Sequence, residues 1–281
     1  MGQVSLWSTI RAFLAVANME RMRLVRYRNW VAGYVIWPVL FSFGYIFVAK
    51  ALSGPDGAAL DAFAAFAGTT DYVGYMVIGS TLWMWMNITL WDVGFFLRQE
   101  QLRGTLESNW LCPVPRIAIV AGVILIKAVM ALFLLTVSAV EYRVFFGVRL
   151  FQGNPLLLLL IMVLTVPSVY GLGIAFASLV IQFKEANAMV FLVRGIFMIF
   201  CGISYPMAVL PGWMQRVAAF LPLTYAIEGV RRAALTQVTF VDMLPTLCVL
   251  AIFAVLLPTL GYGSFQLAER HARRTGSLGH Y

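Results

Sequence analysis

From Leu150 to Phe183 the chain runs for 34 residues without a charged side chain. A helix rises 1.5 Å per residue, so about 20 residues cross a hydrocarbon layer of ~30 Å. Gln152-Gly153-Asn154-Pro155 reads as a turn, which starts this span near Pro155. Five further stretches have the same character. Asn29–Ala49 lies between Arg28 and Lys50, and Tyr72–Trp91 between Asp71 and Asp92. Ile117–Val140 holds one charge, Lys127; Asn187–Leu210 holds Arg194; Met243–Ala268 ends at Glu269. The reading is an all-α polytopic membrane protein with six transmembrane helices in a single domain, 1–281. Its 62% hydrophobic and 11% charged residues exclude a soluble enzyme, a disordered tail and a fibre, since globular domains carry about 25% charged residues.

The segments between the spans differ in kind. Residues 3–28 place Leu6, Ile10, Phe13, Leu14, Ala17 and Met22 at roughly helical spacing, with Arg11, Arg21, Arg23, Arg26 and Arg28 on the polar side. This suits an interface helix in the headgroup layer, alone or also touching a partner subunit. It does not read as a signal peptide, because Arg11 interrupts the apolar pattern and no small-residue cleavage site follows. Residues 51–71 read as a Gly-, Ala- and Asp-containing loop. Residues 203–232 are apolar, but Pro206, Pro211 and Pro222 cut them into pieces too short to cross. They read as a re-entrant extracellular helical hairpin, the other reading being a helix pair on the outer surface. With the N-terminus inside, thirteen of the Lys and Arg residues fall on the inner side and six on the outer. That bias puts both termini in the cytoplasm.

Little in the chain resembles an active site. Cys112, Cys201 and Cys248 are far apart, and His271 and His280 are the only histidines. No metal site or catalytic residue is expected. The basic residues cluster at span ends and tails, which suits anionic headgroups rather than nucleic acid. An ion-coupled secondary transporter would need acids within its spans, and Asp92 and Glu141 read as span-end residues. A membrane-embedded enzyme would need histidines or paired carboxylates there.

The polar segment 97–116, LRQEQLRGTLESNWLCPVPR, joins spans two and three. Leu102, Leu106 and Trp110 share a helical face; Arg103 can pair with Glu100 or Glu107; Pro113 and Pro115 end the helix. Gly104-Thr105-Leu106-Glu107 followed by Cys112-Pro113-Val114-Pro115-Arg116 is similar to the GTLE…PV segment of type-2 ABC exporter permeases. So is the run from Tyr205-Pro206 through Leu210-Pro211-Gly212-Trp213, then Leu221-Pro222-Leu223-Thr224-Tyr225 and Glu228-Gly229-Val230-Arg231-Arg232. The branch resembled exports drugs, lipids and nodulation factors.

The resemblance implies a permease in a bacterial inner membrane, with ATP and Mg bound by a separate ABC ATPase subunit in two copies. It implies a second permease copy or paralogue completing the pathway. It makes 97–111 the coupling helix, with Glu100, Arg103 and Glu107 as polar contacts beside Gly104, Thr105 and Leu106. Lys184 and Glu185, in the turn after span four, would be a second contact. The residues agree on one point: all three lysines follow residues other than Gly, so GxxxxGK[ST] is absent.

Five charged residues are pathway or gate candidates. Lys127 lies eleven residues beyond Arg116, hence ~16 Å deep. It either faces the pathway, favouring an anionic substrate, or pairs within the bundle. Arg194 faces the pathway or snorkels from a shallow position. Glu228 can pair with Arg231 or Arg232 and lock the outer hairpin. Few polar groups lie in the spans, so an amphiphile (lipid, glycolipid or hydrophobic drug) is the expected cargo. A polysaccharide or lipid-linked glycan is the alternative, guided by aromatics such as Trp37, Phe41, Trp83 and Trp91.

Overall fold

The computed structural model describes residues 6–52, 58–105, 108, 111–112, 114–147, 153–182 and 186–275, and among them every regular element is helical. Helix α1 (Leu6–Arg26) leads into α2 (Arg28–Leu52). The axis turns by 71° between Trp7–Arg26 and Val31–Phe47, as expected where a helix along the membrane meets one that enters it. The expected loop 51–71 contains a helix, α3 (Ala58–Ala67), because its sequence AALDAFAAFA is rich in the best helix former. Helix α4 (Tyr72–Thr89) is capped by the Asp71 carboxylate, which accepts the Gly74 N–H at 2.8 Å.

Helical backbone does not stop at Asp92 as the charge pattern suggested. It continues through a π turn (Leu90–Gly94) into α5 (Phe96–Leu102). Then come α6 (Arg116–Phe146), α7 (Pro155–Gln182) and α8 (Ala186–Phe200). A 3-10 turn (Met207–Val209) and two short helices, α9 (Gly212–Ala218) and α10 (Pro222–Leu235), precede α11 (Phe240–Thr275). The prolines act as read: Pro211 stands immediately before α9 and Pro222 opens α10.

Among the described residues, three helices are long and apolar enough to cross a membrane, α6, α7 and α11, and the bent pair of α1 and α2 makes a fourth if counted as one span. Two of the six expected spans therefore look different from the reading. Span two runs on past Trp91 through the π turn into α5. Span five stops ten residues early, at Phe200, where Gly202 adopts φ +63°. A left-handed glycine there reverses the chain after a 15-residue helix.

The most extensive helix pair is α7 with α11. A Cβ on Gly171 would lie 2.4 Å from the Pro258 nitrogen, and one on Gly261 would lie 2.5 Å from the Gly171 carbonyl oxygen. Backbones approach this closely only across residues without side chains, the usual means of tight packing in lipid. Helix α1 rests on α6 in the same manner. A Cβ on Gly122 would be 2.7 Å from the Phe13 carbonyl oxygen. Helix α10 is wedged between α4 and α7, with Leu223 and Ala226 fully buried.

Candidate functional site

The π turn places an acid inside the bundle. Asp92 Oδ2 accepts the Tyr34 hydroxyl at 3.0 Å and lies 3.1 Å from Lys127 Nζ. Lys127 stays eleven residues into α6, so Asp92 shares its depth and is not a span-end residue. The pair ties α2, α4 and α6 together. Lys127 thus takes the second of its two readings, pairing within the bundle. Periodicity could not reveal this, because an i→i+5 turn shifts the phase of everything after it.

Beside the pair, a cavity of about 610 Å³ opens among α2, the α4–π turn–α5 helix and α8. Trp37, Phe41, Trp83 and Trp91 give it an aromatic wall, and Asn87, Asp92 and Arg194 are among its polar lining. Lys127 is not in that lining; it borders a small closed recess with Asp92, Thr89 and Tyr170. Phe41 and Trp83 stack at 4.9 Å with planes 12° apart. The Arg194 guanidinium sits 5.2 Å above Trp83 and 5.5 Å from Phe191, close enough for cation–π attraction. Trp83 Nε1 donates to the Arg194 carbonyl oxygen at 3.5 Å. The Arg194 side chain therefore packs over the Trp83 face at the cavity wall.

Arg231 has a structural task. It is 4% exposed and donates to the carbonyls of Tyr75 (3.1 Å), Gly202 (2.7 Å) and Ile203 (2.6 Å). Its guanidinium carbon lies 3.4 Å from the Tyr75 ring centroid. The expected pairing of Glu228 with Arg231 gives way to these carbonyls, two of which, Gly202 and Ile203, are freed where the chain leaves α8. A fork of five donors fits fanned carbonyls better than one carboxylate. Arg232 points its carbonyl to the Thr236 hydroxyl at 2.7 Å. A neutral counterpart, missed at the sequence level, joins α2, α4 and α6. The Tyr142 hydroxyl is 2.9 Å from Ser42 Oγ and 2.8 Å from Thr81 Oγ1.

Beyond the π turn, in α5, Glu100 is 2% exposed. Its Oε1 lies 3.1 Å from Arg23 and 3.2 Å from Arg103, and its Oε2 accepts the Thr105 hydroxyl at 2.7 Å. Arg23 also meets Glu20 at 2.5 Å. The residue expected to touch a partner is instead buried between α1 and the turn after α5. The expected single helix over 97–111 is broken as well. It ends at Leu102, and Gly104 has φ +69°, with helix resumed at Ser108 and Leu111. Thr105 closes that turn by donating its N–H to the Glu100 carbonyl at 3.0 Å. Leu106, Glu107, Lys184 and Glu185 lie outside the described residues. Arg116 meets Glu269 at 3.6 Å, joining the start of α6 to the end of α11.

Comparison with known proteins agrees with this layout. Two curated relatives are described as doxorubicin resistance ABC transporter permease protein DrrC, from Mycobacterium tuberculosis strains CDC 1551 and H37Rv. Each is 30% identical over 147 residues, which is 51% of this chain and 52% of the relative. The chain spans about half the length of the curated relatives it matches. Residues 14–235 match the membrane family described as ABC-2 type transporter, which runs from within α1 to the end of α10. The chain belongs to the ABC-2 type transporter family.

Proposed function

We propose that this chain is the permease subunit of an ATP-driven exporter and forms half of a translocation pathway for an amphiphilic substrate. The observation that carries the reading is the 610 Å³ cavity beside the Asp92–Lys127 pair, in a chain of this family. Its aromatic wall offers stacking and apolar contact, while few polar groups offset the desolvation of a hydrophilic solute. The relatives are named for doxorubicin resistance, an amphiphilic drug, which supports the same class. ATP and Mg belong, on this reading, to a separate ABC ATPase present in two copies. A second permease, identical or related, completes the pathway.

Six crossings of a bacterial inner membrane with both termini inside fit the thirteen-to-six charge bias. Helix α10, with its buried face between α4 and α7, supports a hairpin that dips into the bilayer from outside, because protein covers its backbone. The exposed Arg103, with Leu106, Glu107, Lys184 and Glu185, forms the ATPase contact. Glu100 supports that contact from within.

The test is ATP hydrolysis by the reconstituted complex in liposomes. Amphiphiles should stimulate it, saturating at low mole fraction of lipid. Stimulation by a lipid-linked glycan alone would replace this reading with a glycan exporter, for which the stacked Phe41 and Trp83 would serve as a sugar-guiding surface.

A further inference from the structure

Arg194 is a charge with no ion-pair partner among the described residues. Asp92 has Lys127 and Tyr34; Glu100 has Arg23, Arg103 and Thr105; Arg231 has three carbonyls. Arg194 has only aromatic faces, and no acidic partner among the described residues. An arginine within a membrane-spanning bundle is expensive unless it faces a partner or water. Two aromatic rings stabilise it by a few kcal/mol at most, which does not replace its hydration. Its side chain is half-buried and lines the 610 Å³ cavity.

The cavity's charge balance points one way. Its acid, Asp92, is already neutralised from behind by Lys127, which keeps out of the cavity lining. The unneutralised charge facing the space is therefore the guanidinium. An occupant that satisfies it carries an anionic group. The Phe41–Trp83 stack supplies an apolar surface of aromatic width beside the charge.

We infer that the cavity binds an amphiphile with an anionic head: Arg194 holds the head, and the Phe41–Trp83 wall takes the apolar body. The inference rests on the amphiphile reading above and narrows it to one charge class. It assigns selectivity to Arg194 rather than to Lys127.

The full chain, in nanodiscs of unlabelled phosphatidylcholine, is titrated with phosphatidylglycerol brominated on its acyl chains, and separately with brominated phosphatidylcholine. Tryptophan fluorescence is read, and Trp83→Phe identifies the component that arises in the cavity. Phosphatidylglycerol should give a saturable component at about tenfold lower mole fraction than phosphatidylcholine, the size expected of a charge-assisted hydrogen bond. Arg194→Gln should remove that preference and Arg194→Lys should keep most of it. Glycerol phosphate in large excess should leave the quenching in place, because the head alone lacks the apolar body; displacement by it would overturn the amphiphile part. Equal saturation by the two lipids, or a preference that survives Arg194→Gln, would overturn anion selection and leave the amphiphile reading standing. No saturable component from either lipid would remove the amphiphile reading itself.

Discussion

Asp92 Oδ2 and Lys127 Nζ meet at 3.1 Å although they come from helices separated by a polar connection. Neither residue shows this in its own sequence context. Asp92 looks like the boundary of one span and Lys127 like a stray charge in another. Joined, they become an internal strut between α4 and α6, with the Tyr34 hydroxyl of α2 as a third member.

Replacing one member of the strut should be worse than replacing both. Asp92→Asn leaves an ammonium in an apolar setting and should destabilise the chain by about 3 kcal/mol. Asp92→Leu combined with Lys127→Leu should recover much of that loss. Thermal unfolding of the detergent-solubilised protein, followed by cysteine accessibility, reads both. A double variant less stable than either single one would refute the strut.

The Arg231 fork and Gly79 depend on one another. A Cβ on Gly79 would fall 2.1 Å from the Ile203 carbonyl oxygen and 2.3 Å from the Arg231 guanidinium. Gly79→Ala and Arg231→Leu should each cost roughly 3 kcal/mol, and together much less than twice that, because both disrupt one junction. Additive losses in a double-mutant cycle would show that the two sites are independent.

Glu100 and Arg103 should separate in their effects. Glu100→Gln weakens the tie to Arg23 and should speed hydrogen exchange in α1, with hydrolysis still coupled to transport. Arg103→Ala with Glu107→Ala should uncouple transport from hydrolysis or weaken assembly with the ATPase, leaving exchange in the spans unchanged. Protected α1 exchange in the Glu100 variant would contradict its internal role.

Cysteines at Gly212 and Thr236, on either side of α10, should both react with an impermeant maleimide added outside. Reaction of either from the cytoplasmic side alone would overturn the re-entrant topology.

The long spans were legible because charge and length decide them. Pro155 opens α7 as its turn signal indicated, and α6 and α11 extend only a few residues past their apolar cores. The helix starts at α9 and α10 were legible from Pro211 and Pro222. Arg194, Lys127, Glu100 and Arg231 were identifiable as residues needing an explanation, yet their partners were not. Asp92 came within reach only through a π turn, and Arg231 found carbonyls, which carry no sequence signal. The contact of Arg194 with Trp83 joins residues 111 positions apart, which no local pattern carries.

The π turn also fixes an angle. An i→i+5 turn takes one residue more than an α turn, and one residue is about 100° of rotation. Were Leu90–Gly94 to tighten into α geometry, everything from Phe96 to Leu102 would swing by about that angle relative to Trp83. Glu100 would leave Arg23, and Asp92 would leave Lys127. The helix from α4 to α5 thus has its phase set at a single point, and Glu100 and Asp92 keep their partners only while that turn keeps its extra residue.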